Sequence, residues 1–274
     1  GDARRFTLAA RGLPEDQLVR LPAIIDATGF RSVAVSARDR ETTRIDVERR
    51  AEELDQRMAS AMGTGDRLIV SMHPLPRALQ ETDGINTDES LTAMTADPSR
   101  WMPFAQPVLS RMGQWVDEWQ IGATSRPEVA AGPGLAEALP SLRAALEQWT
   151  PTPPLWLPGA LALADAPPLA ARTGGTRFTP WPPADPPTAA QILRLRVPGA
   201  DELTHTDRVA DVTRRVLEAW RLDETVDIAI GPMWTRAAPL EPGLATHTTR
   251  VLPDPVLGVF ANLSRRLAGR RYAG

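Results

Sequence analysis

DVERRAEELDQRMASAMGTGDRLIVSM, residues 46–72, holds a helix and a strand in one stretch. Val47, Ala51, Leu54, Met58 and Ala61 recur at three- and four-residue spacing with charges between them, so Asp46 to Met62 reads as an amphipathic helix stopped by Gly63. Arg67 to Met72 then forms a short apolar run of the kind buried on both faces of a sheet. A long amphipathic run delivering into a short apolar one is the repeating piece of a parallel sheet joined by crossover helices.

Outward from that stretch the pattern recurs. Strands are expected at Phe6 to Ala10, Ser32 to Ser36, Arg67 to Met72, Glu118 to Gly122, Pro154 to Leu157, Thr176 to Thr179, Ile192 to Val197 and Val226 to Ile230. A helix capped at Thr206 or Asp207 carries Val209, Val212, Val216 and Trp220 inward, and a last one starts at Asp254-Pro255 and repeats Val256, Phe260, Leu263 and Leu267 before Gly269. Pro22 should kink or split a first helix over Pro14 to Thr28, and the fourth helix must accommodate Pro103 and Pro107. The proline-rich stretch Pro180 to Ala190 has room for a loop with at most one helical turn. Eight strands, with the final helix packed beside the first, favour an α/β fold of the (β/α)8 TIM barrel type, irregular around strands five to seven. An open doubly wound sheet, or two domains divided near Pro151 to Pro154, are the alternatives. The ends Gly1-Asp2 and Ala273-Gly274 lead us to expect that residues 1–274 are one domain excised from a longer protein.

Composition narrows the function. With 31 basic against 34 acidic residues the formal charge is -3, which gives no field favouring nucleic acid. No run of about 18 apolar residues occurs, so no membrane insertion is expected. Cysteine is absent, which excludes thiolate metal sites and Cys nucleophiles. His73, His205 and His247 are far apart and match no ligand spacing, so no metal and no cofactor is expected. No Gly-x-Ser-x-Gly elbow is present, and Gly63-Thr64-Gly65 lacks the Lys of a phosphate loop.

In a barrel, functional side chains sit just beyond the carboxyl ends of the strands. There the chain offers Arg11, Arg38, Asp39, His73, Thr124, Arg126, Trp156, Trp181, Glu202, Met233 and Trp234. The segment Gln114-Trp115-Val116-Asp117-Glu118-Trp119-Gln120-Ile121-Gly122 resembles the fourth strand of clan A glycoside hydrolases, in which Trp-x-Ile-Gly precedes Asn-Glu. The resemblance is sequence-specific from about Trp115 to Gly122 and otherwise rests on the strand and helix pattern. It implies a catalytic glutamate after strand four and a second at the end of strand seven. This chain departs at both places, reading Ala123-Thr124 after the fourth strand and Pro198-Gly199 after the seventh, with Asp201 and Glu202 arriving late.

The resemblance therefore implies a pseudoenzyme: a catalytically degenerate barrel serving as a carbohydrate-binding or architectural domain, with no catalytic residues and with an oligosaccharide or polysaccharide, or other domains of its parent chain, as partners. Its ligand-binding residues would be His73, Gln120, Thr124, Trp156, Trp181 and Trp234, since indole faces stack on sugar rings. An extracytoplasmic, secreted setting would suit such a domain. Two rivals stand beside it. One is an active glycoside hydrolase with relocated carboxylates, Glu202 or Asp201 with Glu128 or Asp39. The other is a purely structural or protein-interaction module with an occluded cleft.

Overall fold

The computed structural model describes residues 6–10, 19–38, 42–62, 66–84, 93–94, 97–116, 118–122, 135–151, 155–158, 175–181, 191–199, 201–222, 226–231, 234–236 and 251–267. The fold is mixed α/β, built on one curled sheet of eight strands: β1 (Phe6–Ala9), β2 (Ser32–Ser36), β3 (Arg67–Ser71), β4 (Glu118–Gln120), β5 (Leu155–Pro158), β6 (Gly175–Trp181), β7 (Gln191–Arg196) and β8 (Val226–Gly231). Each strand pairs with its successor in the chain, and β8 pairs in turn with β1 through Ile228↔Phe6 and Ile230↔Leu8. Among the described residues seven helices accompany the sheet: α1 (Leu21–Thr28), α2 (Asp46–Ala61), α3 (Arg77–Asp83), α4 (Pro98–Met112), α5 (Leu135–Glu147), α6 (His205–Leu222) and α7 (Pro255–Leu267). A separate antiparallel pair joins β9 (Trp234–Arg236) to β10 (Val251–Pro253). No helix among the described residues is long and apolar enough to cross a membrane.

The expected strands are all present, but the regular (β/α)8 pattern is corrected at one place. β6 runs antiparallel to both β5 and β7, whereas the other six pairings are parallel. The connection explains the reversal. Only residues 182–190 separate β6 from β7, fewer than the roughly a dozen that a parallel crossover requires, so the short link returns the chain antiparallel.

Helix ends follow local chemistry. α1 starts at Leu21 with Pro22 in its first turn, where a proline lacks no needed donor; Pro22 therefore begins this helix and does not kink it. α4 absorbs both Pro103 and Pro107, because Trp101, Phe104, Ala105, Val108, Leu109 and Met112 bury its inner face and outweigh the lost backbone bonds. Asp97 caps it, accepting the Ser99 N–H at 2.9 Å. α6 begins slightly earlier than its pattern suggests: Thr204 Oγ1 accepts the Asp207 N–H at 3.3 Å while Asp207 accepts the Thr204 hydroxyl at 2.6 Å, a reciprocal capping arrangement. α7 is capped by Asp254, which accepts the Val256 N–H at 2.9 Å.

Strand alternation divides the interior into two apolar regions. Leu8, Val33, Val35, Leu68, Val70, Trp119, Ile121, Leu155, Leu193, Leu195, Ile228 and Ile230 face the helices and join the main core with Leu54, Met58, Val108, Val216 and Phe260. The residues between them point to the inner face of the sheet, where Ala34, Ile69, Trp156, Phe178, Ile192 and Ala229 form a second cluster. Trp119 of the family-like segment is fully buried on the helix side, and Gln120 beside it takes the inner side.

Candidate functional site

The inner face has two ends with different chemistry. At the amino end Arg67, 6% exposed, donates through Nε and Nη2 to the two carboxylate oxygens of Glu118 at 2.7 and 2.6 Å, and through Nη1 to Asp227. Burial pulls the Arg67 pKa down, but the charges and hydrogen bonds of Glu118 and Asp227 outweigh it and leave that pKa raised. The Arg67 guanidinium also stands 5.6 Å from the Trp156 ring centroid. Nearby Thr7 and Ser32 share a buried hydroxyl hydrogen bond of 2.8 Å. One guanidinium thus holds two inward carboxylates at this end.

At the carboxyl end the inner positions are Ala9, Ser36, Ser71, Gln120, Arg194, Arg196 and Gly231, small or neutral apart from the two arginines. Gly231 permits β8 to approach β1, since a Cβ there would meet the Ala9 carbonyl at 2.3 Å. Gly122 leaves β4 at φ 91, a conformation open to glycine and strained for other residues, so the Gly of the Trp-x-Ile-Gly motif shapes the exit of that strand.

The residues singled out from sequence scatter over this frame. Gln120 lies on the inner face, 6% exposed, in register with Ser71 and Trp156. His73 follows β3 half-buried, its backbone N–H 3.3 Å from Ser71 Oγ. Trp156, at 4% exposure, lies in the inner apolar cluster. Trp181, through the reversal of β6, pairs with Leu155 at the amino end, where Arg143 of α5 stands over its ring at 5.9 Å. Trp234 belongs to the β9–β10 pair opposite Pro253, and its side chain lies outside the described residues. Thr124, Glu128, Asp39, Arg11, Arg126, Met233 and His247 lie outside them as well.

Asp201 and Glu202 are exposed. The Glu202 carboxylate accepts from Arg196 Nη1 at 2.8 Å, from Arg196 Nη2 and from the Gly199 N–H at 3.3 Å. The hydrogen bond from Arg196 is the first cause holding its pKa below the ordinary glutamate value. A carboxyl so held is ionised at neutral pH and is poorly suited to protonate a leaving group.

Two arginines, one named from sequence and one not, complete this end. Arg38, fully buried, donates to the Phe104 carbonyl at 3.0 Å and the Met72 carbonyl at 2.9 Å, tying the exits of β2 and β3 to α4; burial lowers its pKa to about 10. Arg194 has no hydrogen-bond or ion-pair partner among the described residues, its Nη1 is cut off from solvent, and burial alone lowers its pKa to about 10. The signal for Arg194 is present in Leu193-Arg194-Leu195-Arg196: if the leucines face the helices, the arginines face inward.

No protein-family model matches this chain, and no curated protein matches it.

Proposed function

We propose that this chain is a derivative of the (β/α)8 barrel, similar to clan A glycoside hydrolases, that binds a carbohydrate without hydrolysing it. One observation carries the reading. Among the described residues the carboxylates on the inner face are Glu118 and Asp227, and both are held by Arg67 at the amino end. Glycoside hydrolysis uses an acid and a second carboxylate flanking the scissile bond. The carboxyl end offers Gln120, Ser71 and Arg194, which are hydrogen-bonding groups.

The test is direct. Purified protein should turn over no aryl glycoside, while an oligosaccharide that binds should perturb tryptophan fluorescence or report heat in a titration. Hydrolysis that disappears in Glu202→Gln would instead install the enzyme with relocated carboxylates.

The burial of Trp156 and the position of Trp181 favour the architectural reading as a second possibility, because both rings are withdrawn from sugar stacking. A complete lack of response to a panel of neutral and acidic glycans would select it.

A further inference from the structure

We infer that Arg194 is the receptor for a carboxylate on the ligand, so that the carbohydrate bound under the preceding reading, on which this inference rests, is an acidic, uronate-type one. The argument begins with how this protein treats its other interior charges. Arg67 is matched by Glu118 and Asp227. Arg208, on α6, is matched by Asp254 at the start of α7 and also donates to the Pro198 carbonyl at 2.8 Å. Arg38 lacks a carboxylate but donates through Nη1 and Nη2 to two main-chain carbonyls, its buried Nε being left without a partner. Arg194 alone of these four has neither among the described residues. A buried guanidinium without acceptors opposes folding, and such a cost persists where the group serves a ligand.

Its setting is mixed: Arg194 keeps partial exposure to solvent while Ala9, Ser71 and Ala229 near it are buried. The crowding that lowers its pKa coexists with partial exposure of the residue to solvent. Its neighbours on the inner face at that end are small: Ala229 is its register partner, with Ala9 and Gly231 beside it and Ser36 and Ser71 on other strands.

The chemistry selects a carboxylate. A guanidinium fork matches the two oxygens of a carboxylate in bidentate geometry. A phosphate group, carrying nearly two charges, calls for further cations. Arg196 is engaged by Glu202, and Arg38 is engaged by carbonyls. A single fork suits a single charge.

The experiment is a calorimetric titration of the full chain with a uronic-acid trisaccharide, with the neutral trisaccharide of the same linkage, and with sodium acetate and sodium sulfate. It is run on the parent protein and on Arg194→Met and Arg194→Lys. The uronate should bind at least tenfold tighter than the neutral sugar. Arg194→Met should remove about ten- to a hundredfold of that affinity, and Arg194→Lys should keep the charge but only part of the gain. Without ligand Arg194→Met should melt higher than the parent, because an unpaired buried charge has been removed; a lower melting temperature would show that the chain itself satisfies Arg194, and would overturn the inference. Equal binding of neutral and acidic sugars, unchanged by either substitution, sinks the carboxylate receptor and leaves the carbohydrate reading standing. Acetate binding that depends on Arg194, with no sugar bound, sinks the carbohydrate reading and leaves the receptor. No binding of any of the four sinks both.

Discussion

The two ends of the inner face treat arginine in opposite ways. Arg67, the first residue of β3, is locked between Glu118 and Asp227, whereas Arg194, near the end of β7, faces inward with no acceptor among the described residues. The first arrangement is self-contained and needs nothing from outside. The second is incomplete, and an incomplete buried group is a more specific pointer to a ligand than any number of satisfied ones. The contrast separates residues that hold the sheet together from those left over for function.

The largest expected effect tests the self-contained end. Arg67→Ala leaves two inward carboxylates without their shared counter-charge and should cost about 3–5 kcal/mol in urea unfolding. Thr7→Val removes one partner of the buried Thr7–Ser32 hydrogen bond and should cost about 1–2 kcal/mol by the same measurement. At the other end the sign reverses, and Arg194→Met should gain about 1 kcal/mol in the absence of ligand. If Arg194→Met proves as damaging as Arg67→Ala, the difference between the two ends vanishes.

The smallest effect concerns Glu202. Its exposed pairing with Arg196 is screened by solvent, so Glu202→Gln should leave the urea midpoint at neutral pH nearly unchanged. Because its pKa is lowered in the folded state, whatever the pair contributes is present above the ordinary glutamate value and is lost as pH falls through the lower, folded value. Parent and variant stability curves should therefore merge on acidification.

The strand positions were legible in the sequence, each falling within two residues of its expected bounds, because short apolar runs such as Leu68-Ile69-Val70 and Ile228-Ala229-Ile230 are hard to house anywhere but in a buried strand. Direction was not. Gly175–Trp181 reads the same whichever way it runs, and the brevity of residues 182–190 was the one available sign of reversal. That single inversion moved Trp181 from the expected ligand end to the opposite one. Trp156, the second residue of β5, clusters with Ala34 and Ile69 because the stagger between strands is set by pairing register, which leaves no mark in local sequence. Arg194 was readable from strand alternation, but a charge in an apolar strand is easily taken as facing water.

The reversed strand also bears on the order of assembly. β5, β6 and β7 meet as an antiparallel meander whose partners are near in sequence, while the β1–β8 seam joins residues from opposite ends of the chain. Loop-closure entropy favours the nearer pairings first. Amide protons of Phe178 and Leu193 should then gain protection ahead of those of Leu8 and Ile230 in pulse-labelled refolding, with the seam as the last stitch of the sheet.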